Sequence, residues 1–301
     1  MDLNKDGLIF AIKHFEINDG DGVRTTVFLK GCPLECLWCH NPEGISPKQE
    51  IGLFSQKCIG CMECAEVCDC HLFGSNERSF LREKCIGCLK CAERCVSGAI
   101  VGYGEKYSAS EIIAEVLKDR EIYKKTGGGI TLSGGEPMLQ SDFVLEVLKG
   151  AKYEKLNTAL DTCGYAKWEN YEKVLPFVDT VLYDLKAFDS NLHKRLTGKD
   201  NALILENLKR ISKTKTKIAV RIPLIPSLNG DEIKSIGAFL STLENVTEVK
   251  VLPYHNYSSN KYQSLNKKYL LDEVLEPDDK EMESALQILK NYNLNAVDGR
   301  K

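Results

Sequence analysis

Short apolar runs rich in β-branched residues alternate along most of the chain with longer segments in which apolar and polar residues mix. Six of these runs are predicted strands, at residues 25–30, 129–132, 157–160, 180–184, 217–222 and 248–252. The segments between them repeat apolar residues three and four positions apart, which is typical of helices with one buried face. Strands and helices that alternate in this way predict a parallel sheet covered by helices.

The predicted helices begin and end at characteristic residues. Ser108 and Glu111 have the spacing of a capping box, so a helix is predicted to begin there and to end at the glycines of residues 127–129. Later helices are predicted at residues 142–149, 169–175, 202–212, 231–243 and 278–291. Six strand–helix units fall short of the eight that close a barrel, so the pattern predicts an α/β fold, an incomplete (β/α)6 barrel open on one side.

Polar and glycine-rich motifs follow these strands directly. They are residues 32–39, 133–137, 161–164, 184–186, 221–226 and 252–255. The carboxyl ends of parallel barrel strands meet at one mouth, and the active sites of such barrels form there. The six motifs are therefore predicted to lie together in one site.

Twelve of the thirteen cysteines lie within the first third of the chain, eleven of them in three short runs. The first run has only Cys32, Cys36 and Cys39. The other two have the four-cysteine spacing of bacterial ferredoxins: Cys58, Cys61, Cys64 and Cys68, then Cys85, Cys88, Cys91 and Cys95. A [4Fe–4S] cube takes four ligands, so the complete runs can hold closed clusters while the first run leaves one iron open. An open metal position is typical of a reactive site.

Disulfides and structural zinc are the alternatives for these cysteines. Residues 1–6 are polar and charged, so we expect no secretory signal and no oxidising compartment. Structural zinc usually joins two cysteine pairs across a longer spacer, so the spacing favours iron–sulfur clusters. The proline expected after Cys68 and Cys95 is absent, and Cys70 lies close enough to Cys68 to compete with it as a ligand.

The crossed ligand pattern of two-cluster ferredoxins predicts how the cysteines divide. Cys95 would join Cys58, Cys61 and Cys64, and Cys68 would join Cys85, Cys88 and Cys91. The repeat of Lys57-Cys-Ile-Gly-Cys at Lys84 indicates internal duplication. We therefore expect residues 1–51 to form the first part of the barrel, residues 52–102 a ferredoxin-like insert with two clusters, and residues 103–301 the remainder.

Composition narrows the class of protein. The chain has 301 residues, 43% of them apolar, and a formal net charge of −3. These values predict a soluble globular protein with a full core and no nucleic-acid partner. No apolar run approaches the ~20 residues that span a bilayer, so we expect no membrane segment and a cytoplasmic location. Oxygen-sensitive clusters favour an anaerobic setting.

Residues 20–42, Gly-Asp-Gly-Val-Arg-Thr-Thr-Val-Phe-Leu-Lys-Gly-Cys-Pro-Leu-Glu-Cys-Leu-Trp-Cys-His-Asn-Pro, resemble the opening of radical S-adenosylmethionine (SAM) enzymes. More narrowly, they resemble the glycyl-radical enzyme activating enzymes. The resemblance continues through residues 133–137, 184–186 and 252–255 and so covers the whole chain. The eight-cysteine insert is similar to the branch that activates dehydratases, decarboxylases and C–N or C–S lyases. Asp21 stands where the family usually has proline, a difference that we expect to affect only a turn.

The resemblance implies a reaction. Cys32, Cys36 and Cys39 would hold three irons of a [4Fe–4S] cluster, and SAM would chelate the fourth through its amino and carboxylate groups. One electron would cleave SAM into methionine and a 5′-deoxyadenosyl radical, which would remove hydrogen from a glycine of a partner glycyl-radical enzyme. A flavodoxin or ferredoxin-type electron donor is also implied, and the three runs together would hold three [4Fe–4S] clusters.

The resemblance also implies which residues bind SAM: Trp38, His40, Gly134, Gly135, Glu136, Asp184, Leu185, Lys186, Arg221 and His255. Several of these residues have a simpler explanation. The glycine pair could form only a strand-to-helix turn, and Asp184 with Lys186 could be a surface ion pair. Trp38 could be a packing residue, and His40 and His255 could be ordinary polar side chains.

Two neighbouring residues are similar to the family's monovalent-cation ligands, namely Asp161 and Thr162. Capping of the following helix is a nearly equally good explanation for them. Cys163 comes next, and we interpret it as a small buried residue and not as a further cluster ligand.

Two other functions compete with the activating enzyme. A radical SAM enzyme that modifies a peptide or small molecule could use extra clusters as an electron relay, but such enzymes usually carry the additional cysteines after the barrel. An electron-transfer ferredoxin joined to an α/β domain is the alternative from another class. The open iron of the first run argues against it, because an electron carrier has no use for an open site.

Overall fold

A mixed sheet of nine strands forms the centre of the computed structural model, which describes residues 2–74 and 78–300. In chain order the strands are β1 (Asp6–Glu16), β2 (Arg24–Leu29), β3 (Glu50–Leu53), β4 (His71–Phe73), β5 (Arg78–Phe80), β6 (Ile100–Tyr103), β7 (Glu105–Ser108), β8 (Gly129–Gly134), β9 (Asn157–Thr162), β10 (Thr180–Asp184), β11 (Lys217–Leu224), β12 (Val246–Pro253) and β13 (Ala296–Asp298). The order across the main sheet is β13-β12-β11-β10-β9-β8-β2-β1-β7.

The predicted parallel strands form the middle of this sheet. All six are present, each beginning and ending within two residues of its predicted bounds, and they pair in parallel with one another. The structure adds three strands to the six predicted ones in this sheet. The short strand β13 extends the parallel part, while β1 pairs antiparallel with both β2 and β7.

Helices connect the parallel strands and cover the sheet. They are α1 (Lys90–Arg94), α2 (Ala109–Val116), α3 (Arg120–Thr126), α4 (Ser141–Tyr153), α5 (Trp168–Val174), α6 (Ser190–Thr197), α7 (Ala202–Ser212), α8 (Pro226–Asn229), α9 (Ile233–Leu240), α10 (Ser259–Ser264) and α11 (Asp279–Lys290). All the predicted helices are among them. The prediction at residues 231–243 was too long, and α1, α6, α8 and α10 were not predicted.

The predicted capping box is present at Ser108, but the helix that it begins is interrupted. The Ser108 hydroxyl accepts from the backbone N–H of Glu111, whose carboxylate accepts from the backbone N–H of Ser108 at 2.7 Å. A 3-10 turn at Leu117–Asp119 separates α2 from α3. The Asp119 carboxylate is buried and accepts from Thr25 at 2.8 Å, so this turn is attached to β2.

The main core lies between the sheet and its helices. Every residue of β2 is buried, and the core includes apolar side chains from each of the six central strands. Helix α4 shows how a helix joins it, because Phe143, Val144, Val147 and Leu148 form one apolar face that is no more than 1% exposed. Burying each such side chain stabilises the fold by about 1.5–3 kcal/mol relative to exposure.

The sheet is strongly curved. In a flat sheet, strands 4.8 Å apart would place β2 and β11 about 19 Å from each other. Yet Asp19, which accepts from Thr26 of β2 at 2.8 Å, lies 4.0 Å from Arg221 of β11. The edge strands β7 and β13 do not pair with each other in the part of the chain that the structure describes, so the sheet is open.

The segment between β3 and β6 repeats its own backbone conformation. Three-residue 3-10 helices precede Cys58 and Cys85, and the two cysteines have nearly equal φ and ψ, −74° and 124° against −72° and 122°. Gly60 and Gly87, at the corresponding positions, have φ values of 72° and 70°. The duplication of the sequence is therefore also a duplication of structure.

Across residues 2–74 and 78–300, no helix combines the length and the apolar character needed to cross a membrane.

Candidate active site

A cavity of about 510 Å³ opens at the carboxyl ends of the parallel strands. Its lining includes most of the residues predicted to form the site: Cys32, Cys36, Trp38, Cys39, His40, Gly134, Gly135, Asp161, Thr162, Asp184, Lys186, Arg221 and His255. Glu136 and Leu185 are not among the lining residues. The strand-end motifs therefore meet in one place, as the sequence predicts.

The three-cysteine loop is held by backbone hydrogen bonds from several segments. The N–H groups of Gly31 and Cys32 donate to the carbonyls of Gly44 and Ile45 at 2.8 and 2.9 Å. Farther along, the N–H of Leu37 donates to the carbonyl of Leu196, at the end of α6, at 3.0 Å. The loop is therefore positioned before any ligand binds.

The chemistry of this loop fits a metal cluster. Burial raises the pKa of Cys36 and raises that of Cys39 to about 12, so both would be neutral thiols without a positive centre beside them. A bound metal supplies that charge and binds the thiolate form. Among the residues described, no three His, Cys, Asp or Glu side chains form a group that could hold a single metal ion. A cubane differs in this respect, because each thiolate binds a different iron.

The glycine pair allows two backbone segments to approach closely. Gly134 has a φ of 112°, and a Cβ on Gly135 would lie 2.1 Å from the Gly31 carbonyl oxygen. The N–H of Glu136 donates to that same carbonyl at 2.7 Å. The glycines are therefore required for packing against the cysteine loop, and they also leave backbone exposed to the cavity.

The Glu136 side chain points away from the cavity. Its carboxylate is fully buried and accepts from the Thr162 hydroxyl at 2.7 and 2.8 Å and from the N–H groups of Met138 and Cys163 at 3.1 and 2.8 Å. Burial raises the pKa of Glu136. The carboxylate thus fixes the loops after β8 and β9, and only the backbone of this residue is placed near a ligand.

Four charged side chains form a network on the floor of the cavity. Arg221 donates from Nε to Asp184 at 2.9 Å and from its terminal nitrogen to Asp161, while Lys186 donates to Asp184 at 2.8 Å. Burial alone would raise the pKa of Asp184, but Arg221 and Lys186 hold it at about 2. Because the Lys186 side chain is 8% exposed, this network is not a surface ion pair.

His40 and His255 form an aromatic surface at the mouth of the cavity. Their rings stack with centroids 4.0 Å apart, although their loops follow strands five positions apart in the sheet. Burial lowers the pKa of His40 to about 4, so this ring is neutral. His40 Nε2 and His255 Nδ1 are buried without a hydrogen-bond partner within the described chain, which leaves them available to a ligand.

Two residues of the site were not predicted from the sequence. Lys261 of α10 donates to the carbonyl of His40 at 3.0 Å, to Asn41 at 2.8 Å and to Glu43 at 2.7 Å, and so holds the far side of the cysteine loop. Nothing in its local sequence indicates this role. Cys163 lines the cavity together with Cys32. The sequence did offer a signal for Cys163, because this residue belongs to the polar motif that follows β9.

Comparison with known proteins agrees with this geometry. Residues 26–240 match the family model of the Radical SAM superfamily. The chain belongs to this superfamily. A trans-4-hydroxy-L-proline dehydratase activating enzyme from Clostridioides difficile is 42% identical, over 97% of this chain and 99% of that protein.

Two further relatives narrow the family. An isethionate sulfite-lyase activating enzyme from Oleidesulfovibrio alaskensis is 38% identical, over 89% of this chain and 90% of that protein. A (2S)-3-sulfopropanediol dehydratase activating enzyme from Klebsiella oxytoca is 36% identical, over 97% of this chain and 95% of that protein. The chain is therefore a glycyl-radical enzyme activating enzyme, and the resemblance seen in the sequence is confirmed.

Its reaction is the reductive cleavage of SAM and the generation of a glycyl radical on a partner enzyme. A bound [4Fe–4S] cluster supplies the electron for this cleavage. The protein contributes a fixed cysteine loop, a buried charge network and a cavity that limits access of water.

Replacing Gly135 with alanine should displace the cysteine loop, because the new Cβ would collide with backbone atoms of Gly31 and Gly44. We expect the rate of SAM cleavage to fall at least ~100-fold, the cost typical of misplacing reacting groups by about 1 Å. Gly230→Ala is the matched control, since a Cβ there would meet only the Pro226 Cβ, at 3.9 Å. A wild-type rate in the Gly135 variant would contradict the packing role.

Proposed function

We propose that this activating enzyme carries three [4Fe–4S] clusters, one bound by Cys32, Cys36 and Cys39 and open to SAM, and two held by residues 52–102. The observation that carries the proposal is the placement of the three-cysteine loop on the strand-end cavity. Its three cysteines line this cavity together with the charged side chains of its floor. The one iron without a cysteine would face the same cavity as Asp184, Lys186 and Arg221.

The cavity supports a division of roles for SAM. The backbone of Gly134 and Gly135 would accept from the ammonium of the methionine end, with Glu136 holding that loop and Leu185 continuing the strand-end backbone beside Asp184. Arg221 and Lys186 would offset the methionine carboxylate. Trp38, His40 and His255 would contact the adenosine end. Among the described residues, one buried ring nitrogen of His40 and one of His255 have no hydrogen-bond partner.

A monovalent cation near Asp161 is part of the same proposal. Both oxygens of this carboxylate already accept hydrogen bonds, one from Arg221 and the other from the Ser133 hydroxyl at 2.6 Å. The cation would therefore bind the remaining lone pairs of the Asp161 carboxylate, with Thr162 beside it. It would offset the charge that Asp161 and Asp184 share with one guanidinium.

The positions of the remaining cysteines support the ferredoxin-like insert. Cys68, Cys85 and Cys88 lie near Cys91, while Cys58 and Cys95 lie near Cys64. This grouping supports the crossed pattern that the spacing predicts. Cys70 is buried and lies near Cys68. We propose Cys68 as the ligand of the second cluster and Cys70 as its neighbour.

Replacing Cys36 with alanine tests the catalytic cluster. Loss of one cubane should lower the iron content from about twelve to about eight per chain, because each cube holds four irons. SAM cleavage should disappear, as measured by the methionine and 5′-deoxyadenosine released after reduction. Retained cleavage in this variant would falsify the catalytic assignment.

Replacing Cys61 and Cys88, both exposed, tests whether the insert relays electrons. SAM cleavage should persist with a strong artificial reductant and slow with a protein donor such as flavodoxin, because only the protein donor would need the insert. Cys70→Ala is the matched control and should keep all the iron of the insert. Equal rates with both donors, in soluble protein without the insert clusters, would exclude a relay.

We further propose that the partner belongs to the hydroxyproline dehydratase class of glycyl-radical enzymes. The relative named for that partner is 42% identical, against 34% to 38% for those named for isethionate and sulfopropanediol enzymes. The sheet is open at its edge, so a glycine loop of a large protein could reach the cavity from the side.

Incubation of the reduced enzyme with a hydroxyproline dehydratase should give a doublet glycyl-radical signal by electron paramagnetic resonance. The signal should require SAM and should disappear when the partner's glycine is replaced with alanine. An isethionate lyase in the same assay is the comparison and should be activated more slowly. If neither partner gains a radical while a short unrelated peptide is modified, the peptide-modifying alternative replaces this one.

A further inference from the structure

Helix α10 connects the three-cysteine loop with the segment that carries the other two cysteine runs. On the side of the loop, Lys261 of α10 donates to the His40 carbonyl at 3.0 Å and to the Glu43 carboxylate at 2.7 Å. The next residue, Tyr262, belongs to the same buried apolar cluster as Trp38. The position of α10 therefore fixes the residues on both sides of the last cysteine of the loop.

Arg82 holds the carboxyl end of α10. One terminal nitrogen of its guanidinium donates to the carbonyl of Ile51 in β3 at 3.0 Å, and the other donates to the carbonyl of Ser264, the last residue of α10, at 3.1 Å. Ile51 and Ser264 are 1% and 2% exposed. A planar guanidinium can join two separate acceptors in this way, whereas a lysine ammonium is a single point of charge. Arg82 therefore joins β3 to the end of α10.

The backbone of Arg82 belongs to the cysteine-rich segment. Arg82 begins a 3-10 turn that ends at Lys84, and its carbonyl accepts from the N–H of Cys85 at 3.1 Å. Cys85 is the first cysteine of the second ferredoxin-like run. Metal ligation supplies much of the folding free energy of small metal-binding segments. A cluster bound by Cys85 would therefore hold this turn, and with it the Arg82 guanidinium, in place.

We propose that Arg82 is a positioning residue that couples the cysteine-rich segment to the SAM site through α10 and Lys261. The inference rests on the proposed binding of SAM in the cavity beside His40. With Arg82 in place, Lys261 holds the His40 backbone and so fixes the ring that stacks on His255. Without it, the end of α10 can shift, and the cost of ordering His40 again opposes SAM binding. Linkage is reciprocal, so SAM and the second cluster stabilise each other.

The test replaces Arg82 with methionine, which keeps a long side chain but removes its donors. SAM binding is measured by anaerobic titration of the cluster-loaded, oxidised enzyme, which has no electron to cleave SAM. We expect the Kd of SAM to rise about tenfold, a factor typical of coupling between two sites. Iron content, and the cleavage rate at saturating SAM, should stay close to wild type.

Arg94→Met is the matched control. The Arg94 guanidinium lies in the same segment and pairs with Glu63 and Glu66 at 3.4 and 3.9 Å, and its side chain is 54% exposed. Exposed ion pairs contribute little to stability, so the Kd of SAM should stay within about twofold of wild type in this variant.

A double-variant cycle with Lys261→Met separates coupling from general destabilisation. If both residues act through α10, Lys261→Met alone should raise the Kd at least as much as Arg82→Met. The double variant should then lie within about threefold of the weaker-binding single variant, because residues in one contact network are not additive. Independent effects would instead multiply to a rise of about a hundredfold or more.

An unchanged Kd in Arg82→Met would overturn the proposal, and so would an equal rise in Arg94→Met or multiplied effects in the double variant. Loss of about four irons from Arg82→Met would also overturn it, because Arg82 would then serve only the second cluster. If that variant is insoluble, Arg82→Lys keeps the charge without joining both carbonyls, and an unchanged Kd there would equally contradict the coupling. Binding of SAM to Cys36→Ala at the wild-type Kd would instead contradict the proposed SAM site itself.

Discussion

Two partly buried carboxylates on neighbouring parallel strands set the central constraint on this molecule. Asp161 of β9 and Asp184 of β10 would repel each other in the low dielectric of the cavity floor unless a cation lay between them. Arg221 of β11 supplies it, because a planar guanidinium can donate to two carboxylates from different edges. Lys186 adds a second positive charge at Asp184. The charges of three adjacent strand ends are thereby balanced.

A further contact of the Arg221 guanidinium shows how strongly the sheet is curved. It approaches Asp19, which belongs to the turn before β2, four strand positions away. Only a strongly curved sheet permits this contact, and the curvature also brings His40 within stacking distance of His255. The balanced charges on the cavity floor form its polar region. The curvature of the sheet brings the two histidine rings together and so forms its aromatic region.

The cysteine loop lies where several parts of the chain meet. Backbone contact with Gly135 fixes it on one side, and Lys261 fixes it on the other. Lys30, almost fully buried, donates to the Glu43 carbonyl at 2.8 Å and to Glu50 at 3.0 Å, which connects this region to strand β3 at the base of the cysteine-rich segment. Movement in that segment would therefore be transmitted to the loop that holds Cys32.

The sequence by itself determined the central strands, the helices between them and most residues of the site. Buried parallel strands require continuous apolar runs, and polar residues that follow such runs must lie at one edge of the sheet. The tertiary structure alone decided that Glu136 turns away from the cavity, that Lys261 reaches His40, and that Cys163 lines the same cavity as Cys32. These contacts join residues from separate parts of the chain, and they depend on how far the sheet curves, which no local pattern of residues encodes.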